Sequence, residues 1–98
     1  MHKDLNWSIR ALQEYKDLLD YISDEWGETI MDRVKSEFTQ TLSRIQSSPE
    51  QFPIFLKRKN IRRCVASSQT SIYFKANKND IEIYAVFDNR RNPKKLKL

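Results

Sequence analysis

An α+β fold is predicted, with a helical hairpin packed on a small antiparallel sheet in the order β-α-α-β-β-β, on three observations. Apolar residues recur every three or four positions as far as Ile45, they alternate every second position beyond Ile61, and the only glycine, Gly27, separates the two helical runs. The 98 residues suffice for one hydrophobic core and not for two, because a chain of this size buries only about two-thirds of the surface it exposes when unfolded. Residues 1–98 are therefore expected to form a single domain.

The elements follow in order. Leu5, Asn6 and Trp7 form a short apolar opening suited to an edge strand, and the Ser8 hydroxyl is placed to cap the helix that follows. Ile9, Leu12, Tyr15, Leu19, Ile22 and Trp26 make one stripe on that first helix, with Glu14, Asp17, Asp20, Asp24 and Glu25 mostly away from it. Gly27 then occupies the position where a left-handed backbone costs glycine nothing. A second helix beginning near Thr29 carries Ile30, Val34, Phe38, Leu42 and Ile45, with Met31 and Thr41 beside the stripe. Pro49 ends it by disfavouring helical geometry at Ser48. Two amphipathic helices joined so tightly must fold back on each other, and one side of the pair then needs a second layer.

That layer is expected from strands at 61–66, 71–76 and 81–87, rich in β-branched and aromatic residues and separated by Ser67-Ser68-Gln69 and Asn77-Lys78-Asn79-Asp80. Strict alternation puts Ile72, Phe74 and Ala76 on one face of the second, opposite Tyr73. In the third it puts Ile81, Ile83, Ala85 and Phe87 together, opposite Tyr84 and Val86. Residues 51–60 read as a connector that Phe52, Pro53, Ile54, Phe55 and Leu56 pin to the core, and Trp7 and Trp26 read as packing residues. The side of the sheet away from the helices is left for solvent or a ligand, and the tail beyond Asp88 lacks periodicity.

Charge divides the chain. Residues 1–56 carry 6 Lys or Arg against 10 Asp or Glu, a net of −4, whereas residues 57–98 carry 12 against 3, a net of +9. A half so basic attracts polyanions or an acidic partner at long range, an effect that salt weakens. A single thiol, Cys64, rules out an internal disulfide, and with only His2 as imidazole no Cys/His metal framework can be built. A reducing, cytoplasmic setting without membrane attachment is expected, since no apolar run approaches the roughly 20 residues needed to span a bilayer. One glycine at a helix end excludes a glycine-rich phosphate loop, and no cofactor or metal is expected. His2, near a terminus, is a poor catalytic base, and Cys64 among apolar strand residues reads as inert packing.

The candidate binding residues are basic and polar. Lys57, Arg58, Lys59, Arg62 and Arg63 precede or open the 61–66 strand, and Arg90, Arg91, Lys94, Lys95 and Lys97 follow the last strand. If these strands lie close together the two groups converge, with arginine forks for phosphate oxygens and lysines adding point charge. Tyr73 and Tyr84, if outward, offer rings for stacking or for a protein pocket. Arg62 and Arg63 must point to opposite faces. Arg63 shares parity with Ile61 and Val65, so it either meets a carboxylate, Asp88 being the candidate, or reaches a functional face.

Several strings resemble the ParE branch of the RelE/ParE toxin superfamily: Trp7-Ser8, Tyr21-Ile22, Trp26-Gly27, Ser48-Pro49-Glu50-Gln51-Phe52-Pro53, Ile61-Arg62-Arg63, Ile72-Tyr73-Phe74, Ile81-Glu82-Ile83, and Val86-Phe87-Asp88-Asn89-Arg90-Arg91-Asn92-Pro93. The resemblance implies a helical hairpin on an antiparallel sheet and a toxin neutralised by a cognate antitoxin. It also implies that Arg62, Arg63, Arg90 and Arg91 occupy commonly basic positions. ParE-like members typically poison DNA gyrase in its cleaved-DNA state, whereas RelE-like members cut messenger RNA on the ribosome. Cleavage needs a group to activate the ribose hydroxyl, donors for the scissile phosphate and a proton source. Arg63, Arg91 and Lys57 supply donors, and Tyr84 or Tyr73 is the only substitute for the terminal His or Tyr that ribosome-dependent members commonly carry, since only Asn92, Pro93, lysines and leucines follow Arg91. The expected target-binding set is therefore Arg62, Arg63, Tyr73, Arg90, Arg91, Lys94 and Lys95, with gyrase favoured over the ribosome and messenger RNA and over an inactive toxin-like nucleic-acid-binding module.

Overall fold

A computed structural model describes residues 3–67 and 69–98; His2 and the Ser68 of the expected turn lie outside them. The chain runs through β1 (Asp4–Trp7), α1 (Ile9–Trp26), α2 (Glu28–Ser47), β2 (Ile54–Leu56), β3 (Ile61–Val65), β4 (Thr70–Ala76) and β5 (Asp80–Asp88), with short 3-10 turns at Pro49–Gln51, Lys57–Lys59 and Pro93–Lys95. The five strands form one sheet in the order β1-β5-β4-β3-β2. β1 is parallel to β5, because the intervening hairpin carries the chain back to the same end of the sheet, and the other pairings are antiparallel. The helical hairpin on a mainly antiparallel sheet is the expected α+β architecture. The connector contributes the additional strand β2, in which Ile54 and Phe55 are exposed rather than pinned to the core.

The Ser8 hydroxyl accepts the Ala11 N–H at 2.9 Å, as its position at the start of α1 demands, and donates to the Tyr84 carbonyl at 3.0 Å, tying the cap to β5. The buried side of α1 is rotated from the expected stripe. Ala11 is fully buried, Tyr15 and Leu18 pack on the core, and Ile9, Leu12 and Trp26 are exposed. Hydropathy alone selects the larger residues, but where a helix lies closest to a sheet only a small side chain fits. In α2 the expected positions hold: Phe38, Leu42 and Ile45 are buried, and the Phe38 ring centroid lies 4.4 Å from that of Tyr15 and 6.1 Å from that of Trp7.

A β-bulge alters the far half of β5. Phe74 pairs with Ile83 and Tyr73 with Ala85, so Tyr84 is an extra residue without a partner on β4. The bulge reverses the alternation beyond it. Val86 joins Ile81 and Ile83 beneath the helices, while Ala85 and Phe87, expected there, turn to the opposite face with Ile61 and Tyr73. That second cluster is covered by Leu56, Leu96 and Leu98, and the Phe55 ring meets Tyr73 edge-on with centroids 4.9 Å apart. Tyr73, expected to face outward as a binding aromatic, is 2% exposed. The side of the sheet expected to be open is thus covered by the Phe55 and Leu56 side chains and by a tail that docks.

Candidate functional site

Arg63 lies opposite Tyr73 across β3 and β4, on the face away from the helices. Its Nε donates to the Ser71 hydroxyl at 3.1 Å, and that hydroxyl, fully buried, donates to Asn89 Oδ1 at 2.8 Å. The two basic segments are therefore joined, but through a serine and an asparagine. Asp88, considered for Arg63, instead pairs with Arg90 at 2.8 Å and takes a second bond from its Nε at 3.0 Å. An adjacent carboxylate is reached without loop closure, and the turn delivers the Arg90 N–H to the same carboxylate at 2.9 Å. The bonds from Arg90 hold the Asp88 carboxyl below the usual range and raise the guanidinium above its own, and Arg90 also lies 5.6 Å over the Tyr21 ring.

Arg91 is exposed beside Arg90, and a cavity of about 260 Å³ opens next to them between α1 and β5, lined by Glu14, Leu18, Tyr21, Val86, Arg90 and Arg91. Glu14 closes one wall: its carboxylate accepts the Val86 N–H at 3.1 Å and pairs with Arg10 at 3.3 Å. β1 registers with β5 only as far as Ile83, so this carboxylate satisfies a strand N–H beyond the reach of β1. Glu14, Ser71 and Asn89 are absent from the expected binding set. Ser71, on the face of β4 opposite Ile72 and Phe74, was the one available signal; the bonds of Glu14 and Asn89 join positions 72 and 18 residues apart and leave no local trace.

Arg62 points to the opposite side of β3 from Arg63 and donates to the Phe52 carbonyl at 2.6 Å, anchoring the segment after the Pro49–Gln51 turn. Lys57, Lys94 and Lys95 are exposed. Tyr84 lies against a separate hollow with Asn6, Ser8 and Glu82, and burial followed by Glu82 raises its phenol pKa. No hydrogen bond or ion pair among the described residues joins Tyr84 to Arg63, Arg91 or Lys57, so the nuclease set is not assembled by direct contacts. Cys64 is 1% exposed and burial pushes its thiol up, consistent with inert packing. No group of three or more His, Cys, Asp or Glu among the described residues could hold a metal ion, and no helix among them is long and apolar enough to cross a membrane.

Among solved structures, the chromosomal ParDE toxin–antitoxin system from P. aeruginosa is similar with a TM-score of 0.74 at 13% identity, covering 89% of this chain and 96% of that one. The YoeB dimer from Staphylococcus aureus is similar at a TM-score of 0.63 and 14% identity, over 89% and 97% of the two chains. The E. coli DinJ-YafQ toxin–antitoxin complex is similar at 0.61 and 7%, over 92% and 96%. At such identities these likenesses concern the fold. No curated protein sequence matches the chain significantly. The family model for the ParE toxin of the type II toxin–antitoxin system parDE matches residues 5–93. With its two helices, its five-stranded sheet and a family match over nearly its whole length, the chain belongs to the ParE toxin family.

Proposed function

We propose that this chain is a single-domain cytoplasmic toxin that poisons DNA gyrase by stabilising its cleaved-DNA complex, and that a cognate antitoxin neutralises it. The observation that carries the choice of target is the fate of the tyrosines a nuclease would need. Tyr73 is buried beneath Phe55, and Tyr84 sits in a hollow lined by Asn6, Ser8 and Glu82. The arginines retain phosphate chemistry without an assembled acid or base, which suits a target-binding poison better than a catalyst. An antitoxin partner is supported by the family match and by the toxin–antitoxin complexes among the similar folds.

The target-binding group is centred on Arg91, with Arg90 beside it and Arg63 tied to the same turn through Ser71 and Asn89; Arg62 serves it indirectly by holding the Phe52 carbonyl. Asp88 offsets the charge of Arg90 but forms no salt bridge with Arg91. Purified protein should suppress gyrase supercoiling and accumulate cleaved plasmid. Arg91→Ala should lose most of this effect, Arg90→Ala less, and the double variant nearly all of it with an unaltered circular-dichroism spectrum. Unchanged supercoiling and cleavage at saturating toxin, together with codon-associated cuts on programmed ribosomes, would reverse the assignment of target.

A further inference from the structure

A second group of exposed cations lies outside the Arg90–Arg91 turn, on the Lys57–Lys59 turn and the tail. The 3-10 turn Lys57–Lys59 and the tail after Asn92 are 34 or more residues apart in sequence, yet Lys59 Nζ donates to the Leu98 carbonyl at 2.8 Å. Leu96 and Leu98 pack on the second cluster, and Arg10 holds the Lys97 carbonyl from α1. The tail is thereby seated with its end held at Lys59, which joins the segment carrying Lys94, Lys95 and Lys97 to the one carrying Lys57, Arg58 and Lys59. All six are exposed, and none forms a salt bridge among the described residues.

We propose that this turn-and-tail surface binds the phosphodiester backbone of duplex DNA without reading its sequence. Five of the six cations are lysines, a residue depleted at protein–protein interfaces, whose buried centres exclude charge. Lysine is instead a strong point-charge partner for phosphate. A duplex carries twice the axial charge density of one strand. Single-strand binders add aromatic platforms, whereas the Lys57–Lys59 turn and the tail 93–98 contain no aromatic residue. The acidic half of the chain, with Asp17, Asp20, Asp24 and Glu25 exposed on α1, disfavours binding through the helices. This surface stands apart from the gyrase reading, since duplex binding requires neither gyrase nor Arg91.

The test is fluorescence anisotropy of a labelled mixed-sequence duplex of about 20 base pairs, titrated with the full chain at several salt concentrations. Six phosphate contacts predict a slope of log K against log salt of about −5, and each lost contact flattens it by about 0.9. Lys94→Gln/Lys95→Gln/Lys97→Gln keeps both leucines and should weaken binding at least tenfold while flattening the slope by about 2 to 3. Lys57→Gln/Arg58→Gln should flatten it by about 2, and the helix control Lys16→Gln/Lys35→Gln should change neither quantity. Single-stranded RNA and a polyglutamate peptide of matched length should bind more weakly than the duplex. Absence of duplex binding at low salt, equal losses in the helix control, or tighter binding of either competitor would overturn the proposal. Duplex binding that survives Arg91→Ala while gyrase poisoning is lost would separate this surface from the proposed target site.

Discussion

Ser71 carries more structural consequence than its size suggests, because its hydroxyl is the only link from Arg63 on β3 to Asn89 beyond β5 in this relay. Replacing a fully buried hydroxyl by a methyl group leaves a guanidinium N–H and an amide oxygen without that partner, a loss of about 1 to 3 kcal/mol. Ser71→Ala should therefore lower the urea midpoint at an unchanged m-value, and an unchanged midpoint would show that the relay contributes no stability. Asp88 and Asp80 are expected to contribute to the acid response. Arg90 lowers the first, while the Asn6 amide at 2.6 Å, followed by Asn77, lowers the second. A carboxyl with a lower pKa folded than unfolded binds fewer protons in the native state. Its stabilisation is present above the unfolded value of about 3.9 and is lost as pH falls through the folded value. The thermal midpoint should fall below about pH 4, and Asp80→Asn/Asp88→Asn should flatten that limb in melts collected between about pH 2 and 5.

At the scale of elements, one residue joins the helices. Gly27 adopts φ 90° and ψ 170°, receives on its carbonyl the Met31 N–H at 3.1 Å, and donates its own N–H to the Ser23 carbonyl at 2.9 Å. A Cβ there would meet no heavy atom within 4 Å, so the restriction lies in the backbone alone. Gly27→Ala should cost about 1 to 3 kcal/mol through this glycine-only conformation. A thermal midpoint equal to wild type would mean that the hairpin can turn by another backbone path. The Tyr84 bulge is the second decisive local feature. Without it Val86 would leave the main core and Phe87 would enter it, because a one-residue shift exchanges the faces of every later side chain.

At the scale of the whole molecule, a sheet with a core on each face is covered on one side by the hairpin and on the other by the side chains of Phe55 and Leu56 and by the tail. Leu96 and Leu98 are half-buried on the second cluster. Their replacement by serine should remove about 2 kcal/mol of apolar burial, leave the helical signal intact and raise the fluorescence of a hydrophobic dye. A stability and dye response equal to wild type would show that the tail does not close that face. Such a loss would differ from that of the lysine variants, which should affect duplex binding at unchanged stability.

The sequence by itself determined the hairpin, the Ser8 cap, the tight link at Gly27, the order of the later strands and the division of charge. Each depends on residues within a few positions of one another, where periodicity and backbone preference act. Only the tertiary structure decided which carboxylate meets which arginine, that Ala11 rather than Leu12 approaches the sheet, that Tyr73 is covered, and that the end of the tail meets Lys59 of the Lys57–Lys59 turn. Those outcomes depend on a single inserted residue at Tyr84 and on bonds between distant segments. Side-chain alternation along one strand contains neither.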